Sequence, residues 1–166
     1  MSETTELMKR PSKSDSIVKR RAWELFMPAV KRYLGNEWSD TEAPHIEKQI
    51  TDVLRLDDGY AMARSLERDG WEEDRGLVDL MDEGESFLSA AHKELLGQWI
   101  AVYRIAPSRK IGDRVGTTNW YRKGQIGIIT KIREDEATYA VNFPDQPITS
   151  AQILLYEEVI DTPEVL

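Results

Sequence analysis

Hydrophobic positions change their spacing once along the chain, from helical through the first part to alternating in the last third. Val18, Ala22, Leu25, Phe26, Ala29 and Tyr33 fall on one face of a helix, with Trp23 and Val30 beside them, and Ser14 or Asp15 can cap it. Pro28 interrupts that pattern and predicts a kink or a break, because proline lacks a donor and clashes with the preceding turn. Gly35 and Asn36 then end the helix. A second helix is expected over Thr41 to Leu56, capped by Ser39 or Asp40, with Ile46, Ile50, Val53 and Leu54 as its stripe. Asp57 or Asp58 caps a third, carrying Ala61, Met62 and Leu66 and closed by Asp69-Gly70, with Trp71 at the bend. An acidic fourth helix holds Leu77, Val78, Leu80 and Met81 and stops at Gly84. The fifth, Ser86 to Tyr103, is the most apolar through Phe87, Leu88, Ala91, Leu95, Leu96, Trp99 and Ile100, and is expected at the centre of the helical part. Trp23, Trp38, Trp71 and Trp99 lie on these stripes or at helix ends, where packing is their expected role.

Ala106-Pro107-Ser108 reads as a linker into a different grammar. Lys110-Ile-Gly-Asp-Arg-Val115 opens a strand, and the stretch from Tyr121 to Ile132 supplies a glycine-punctuated turn into a second. Thr138-Tyr-Ala-Val-Asn-Phe143 alternates with period two, as a half-buried strand does. The expected architecture is α+β: a mobile arm over 1–13, an all-helical segment over 14–105, a five-stranded small β-barrel over 108–160 and a tail over 161–166.

A chain of 166 residues can bury a core as two small domains, and 40% hydrophobic with 31% charged residues is a globular composition. No apolar run approaches the roughly 18 residues of a membrane span, and the first residues lack a signal pattern, so the cytoplasm is the expected compartment and no membrane partner is expected. The chain has no cysteine, which removes disulfides, thiolate metal sites and cysteine nucleophiles. Net charge is −8 but unevenly placed. From Lys9 to Arg32 eight basic residues face two acids, a net of +6; from Tyr33 to Ile105 seven face seventeen, a net of −10. Glu72, Glu73, Asp74, Asp79, Asp82, Glu83 and Glu85 concentrate that acidity, which either solvates helix faces or docks a basic partner.

Reactive chemistry finds little support. Glu42-Ala-Pro-His45 has the Glu-x-x-His spacing of a carboxylate-bridged metal bundle, yet Ser89 stands where a second copy before His92 would need a glutamate, and Pro44 interrupts the first. No nucleophile elbow, phosphate-cradling glycine loop or calcium-loop spacing occurs. A helix-turn-helix reading of Tyr60 to Met81 fails on charge, because its second helix would push acids against phosphates. The expectation is a noncatalytic chain with no metal and no cofactor.

The best binding candidate is Asn119-Trp120-Tyr121-Arg122-Lys123, between the first two strands of the barrel. Two adjacent aromatics beside two cations cannot all point inward, and Trp, Tyr and Arg are the residues enriched at interface hot spots. Gly112-Asp-Arg-Val115, Tyr121-x-x-Gly124-x-Ile-Gly127-Ile-Ile129 and Tyr139-x-Val141-x-Phe143 together resemble the SH3-like fold of KOW modules and of the C-terminal half of the nitrile hydratase β subunit. The resemblance covers the C-terminal third. It implies either a noncatalytic subunit or accessory protein, with the metal on a cysteine-bearing partner, or a module binding RNA or proteins of the transcription and translation machinery. In that second case Arg122, Lys123 and Lys131 are the matching contacts. From Arg109 onward, however, seven bases face nine acids, which weighs against RNA. The leading expectation is therefore an adaptor, assembly subunit or inhibitor that binds a protein partner through the aromatic loop or the acidic helical surface. The alternative is nucleic-acid binding by the barrel together with the basic helix carrying Lys19, Arg20, Arg21, Lys31 and Arg32.

Overall fold

The computed structural model describes residues 9–54, 58–72, 74–145, 147 and 150–162. Most of the expected N-terminal arm, the caps and ends assigned to Leu56 and Asp57, the acid Glu73 and the last four residues of the expected tail lie outside them. Four helices precede five strands: α1 Ser16–Leu34, α2 Ala43–Val53, α3 Gly59–Glu67 and α4 Arg75–Tyr103, then β1 Arg114–Thr117, β2 Gly127–Arg133, β3 Thr138–Asn142, β4 Gln152–Leu155 and β5 Val159–Asp161. The chain is α+β, and it divides into two compact units, one ending at Leu96 and the other beginning at Gly97. That division falls inside α4, ahead of the linker expected at Ala106 to Ser108.

In the first unit, Val18, Ala22, Trp23, Phe26, Ala29 and Val30 are the buried face of α1, as their spacing predicts. The helix runs through Pro28 without ending there. Glu24, whose carbonyl loses its donor to the proline, and Pro28 itself are both exposed, so water can take the freed carbonyl. Asp58 caps α3 by accepting from the Ala61 amide at 2.6 Å. The start of α2 lies later than Thr41, with Ser39 accepting backbone bonds from Glu42 and Ala43 and Pro44 in the first turn, where its missing N–H costs nothing. Trp38 and Trp71 are half-buried at helix ends with their indole N–H groups satisfied by Asp40 at 2.9 Å and Gln49 at 3.0 Å.

The fourth and fifth expected helices are one 29-residue helix, α4. Gly84 is buried within it, and a Cβ there would meet Leu54 Cδ2 at 2.9 Å and Phe26 Cε1 at 3.3 Å. The glycine serves close approach of α4 to the core rather than termination. Phe26 is fully buried and stacks on Phe87 with centroids 5.3 Å apart. Toward the C-terminal end of α4 the apolar stripe leaves the core: Trp99 and Ile100 are only half-buried, and Trp99 packs against Tyr103 at 6.2 Å. The expectation that Trp99 anchors the helical core is corrected. Its apolarity reads as part of that core because spacing carries no information on which of two units a helical residue belongs to.

In the second unit the strands form one antiparallel sheet in the order β4-β3-β2-β1-β5. The sheet is open, with β4 and β5 at its edges. Val115, Ile129, Tyr139, Val141, Phe143 and Leu154 make its core. In β2 and β4 they alternate with outward residues such as Ile128 and Ile153, whereas β3, expected to be half-buried, is buried at four consecutive positions, Thr138 to Val141, as the central partner of β2 and β4. The Tyr139 hydroxyl accepts from the Arg109 amide at 3.0 Å, so the chain entering β1 is tied to the core. Gly127 faces Val141, Asn142 and Phe143 so closely that a Cβ would collide with Val141 Cγ1 and stand 3.0 Å from the Asn142 carbonyl oxygen.

Among the described residues no helix is long and apolar enough to cross a membrane. Two substitutions test the packing. Gly127→Ala is expected to destabilise by about 2 to 3 kcal/mol through overpacking against backbone, and Phe26→Ala by roughly 3 to 5 kcal/mol through a cavity. Equilibrium denaturation in urea checks both, and midpoints within error of the parent protein would refute the packing.

Candidate functional site

The loop joining β1 to β2 begins from a buried hydroxyl. Thr117 is buried at the end of β1 and its Oγ1 accepts from the Asn119 amide at 3.0 Å, while the Thr118 amide donates to the Glu158 carbonyl at 2.8 Å. Asn119 Oδ1 then accepts from the Tyr121 amide at 3.2 Å and caps a single 3₁₀ turn, Trp120–Arg122. Three residues per turn send consecutive side chains about 120° apart, so the three cannot share one direction. Trp120 and Tyr121 turn outward, 71% and 72% exposed, with ring centroids 3.6 Å apart.

Arg122 turns inward. Its side chain is only 17% exposed; Nη1 donates to Gln125 Oε1 at 3.0 Å and pairs with Asp145, Nε donates to Gln152 Oε1 at 3.1 Å, and the guanidinium lies 5.2 Å from the Phe143 ring centroid. A planar fork with several donors can bind all three neighbours at once and stack on an aromatic face. Arg122, expected among the partner contacts, is therefore the anchor that holds the loop. Lys123 is exposed, and no ion pair joins it to another described residue.

Beside the rings lies an open groove of about 500 Å³. Gly116 and Thr117, both buried, line it together with half-buried Ile126 and exposed Ile160; Trp120 and Lys123 are among its exposed lining. Gly116 lets Ile160 approach closely here, because a Cβ would stand 3.2 Å from Ile160 Cγ1. Sequence reasoning found the rings and missed the groove. Gly116 inside a strand was the one signal of close approach, and Ile160 reaches the site only through the pairing of β5 with β1.

Several basic residues of α1 are engaged within the helical unit. Lys19 donates to the Thr51 carbonyl at 2.7 Å, Arg21 pairs with Glu24 and Glu94 at 2.8 and 3.0 Å, and Lys31 lies 4.7 Å from the Trp38 ring centroid and 3.7 Å from Asp40. Arg20 and Arg32 are exposed on the same helix, and Lys131 is exposed on β2 in the other unit. Glu42 precedes α2, His45 is exposed in its first turn, and His92 Nε2 lies 3.1 Å from the Pro11 carbonyl. Among the described residues no three His, Cys, Asp or Glu side chains gather as a metal site.

Displaced proton affinities trace to structural contacts. Burial, aided by the bond to Asp74, pushes the Tyr33 hydroxyl up to about 12. The Lys9 ammonium and the Ser12 amide hold Asp15 below the ordinary carboxylate range, and the Trp38 indole N–H and Lys31 do the same for Asp40. Comparison of the chain with protein-family models, curated proteins and solved structures found no match.

Arg122→Ala is expected to cost about 1.5 to 3 kcal/mol through lost charged hydrogen bonds, whereas Trp120→Ala and Tyr121→Ala are expected within about 0.5 kcal/mol of the parent. Thermal denaturation of the three variants checks this contrast. A ring variant that melts as early as the arginine variant would make the ring a packing residue.

Proposed function

We propose that this chain is a noncatalytic protein-binding adaptor, assembly subunit or inhibitor of the cytoplasm, and that its second unit is an SH3-like small barrel holding a protein partner at the Trp120–Tyr121 loop. The strand order supports the barrel reading. β5 returns to pair with β1 after a four-strand antiparallel meander, which is how a small sheet begins to curl on itself. Gly127 against Phe143 and the register shift between Ile129 and Lys131 add the close approach and bend such curling needs.

The observation that carries the binding reading is the pair of large aromatic side chains held outward on a clamped turn beside an apolar groove. Burying them on a partner gains area at little entropic cost, since the turn is already ordered and each ring has few rotors. Nucleic-acid binding is the second reading, favoured by the same rings, which could stack on bases beside Lys123. Charge favours a protein: from Arg109 onward acids outnumber bases nine to seven, and three of those bases are paired, Arg109 with Asp161 at 2.7 Å, Arg122 with Asp145 and Arg133 with Glu136 at 3.1 Å.

The test is capture of partners from the source cells on the immobilised full chain, followed by calorimetric titration of the purified partner. Trp120→Ala is expected to weaken binding by about 2 kcal/mol, roughly 30-fold. Unchanged affinity in the Trp120→Ala, Tyr121→Ala double variant would refute the loop as the site.

A further inference from the structure

Resting on that reading, the groove also indicates the chemistry of what it holds. Its lining is apolar through Ile126, Ile160 and the indole of Trp120, and its buried members Gly116 and Thr117 carry little side chain. A large aliphatic side chain fits such a space. The charges around it are unequal in availability. Glu158 accepts from the Leu155 amide at 2.9 Å, while Asp161 is paired with Arg109 at 2.7 Å and Asp145 with Arg122; none of the three lines the groove. Lys123 is the charged member of the lining, and among the described residues it has no ion-pair partner.

We infer that the groove binds an extended peptide segment in which a large aliphatic residue stands next to a carboxylate, the aliphatic side chain entering beside Trp120 and the carboxylate meeting Lys123. A basic segment would place its cation against Lys123, the charged residue of a lining that holds no acid, so like-charge repulsion selects against it. An anion on the ligand restores the balance. The ion pair is solvent-exposed, so it tunes selectivity modestly and weakens with salt, while the apolar contact supplies the affinity.

Short synthetic peptides identical except for a Leu-Glu, Leu-Gln or Leu-Lys pair, drawn from a phage-displayed random library selected on the full chain, provide the probe. Binding is read by fluorescence polarisation with parent protein, Trp120→Ala and Lys123→Glu. The expected result is a preference for Leu-Glu over Leu-Gln of about threefold to fivefold, reversed toward Leu-Lys by Lys123→Glu and diminished by added salt, with every peptide weakened by Trp120→Ala. Peptides that need Trp120 but ignore the charge, or favour Leu-Lys on the parent protein, would overturn the inference and leave the binding reading standing. Peptides held equally by Trp120→Ala would overturn the reading as well. Failure to select any peptide would overturn the inference alone, and tight Trp120-dependent binding of labelled polyuridine would replace both with nucleic-acid recognition.

Discussion

The site depends on where one guanidinium goes. Arg122 reaches from the loop between β1 and β2 to Gln125 within the same loop, to Gln152 on β4 and to Asp145 between β3 and β4, and it lies over Phe143 at the end of the core. Those contacts join sequence neighbours and residues up to 30 positions away. Once Arg122 is drawn in, the geometry of a tight turn leaves Trp120 and Tyr121 no inward direction. Exposed aromatic area that costs free energy in the isolated chain is therefore a consequence of the clamp, and it is available for burial elsewhere. Lys123, one position on, falls at the groove.

The helical unit is built on a different constraint, the approach of α4 to Leu54 at the end of α2 and to Phe26 of α1 through a missing side chain at Gly84. That contact lets one long helix do what two short ones joined by a turn were expected to do. It also explains why the acidic stretch around Asp79, Asp82 and Glu83 is helical surface: the same helix buries Leu77, Leu80, Met81 and Leu88 on its other side. Much of the positive charge of α1 is met by local acids and carbonyls rather than displayed as a basic face.

Period and turn chemistry made the α+β division legible, along with the buried stripe of α1 and a cap for α3 at Asp57 or Asp58, of which Asp58 takes the role. Glycine and proline were less legible, because each has two physical uses. Gly84 stops a helix if nothing approaches it and permits contact if something does; Pro28 breaks a helix unless the carbonyl it orphans can reach water. Trp99 illustrates the same limit, since a helical stripe continues in sequence across the boundary at Gly97 between the two units. In the site, the rings were legible from their adjacency. The inward turn of Arg122 was not, because its partners at Asp145 and Gln152 come together only when β3 and β4 pair with the rest of the sheet.

Rigidity distinguishes a display of two rings from an aromatic loop that merely happens to be exposed. Nitrogen-15 relaxation of the free full chain measures it most directly, through order parameters for the backbone of Trp120 to Gln125 and for the Trp120 indole N–H. The account predicts backbone values near 0.85, matching β2 and β3, and an indole nearly as ordered; values below about 0.6 through the turn would contradict it.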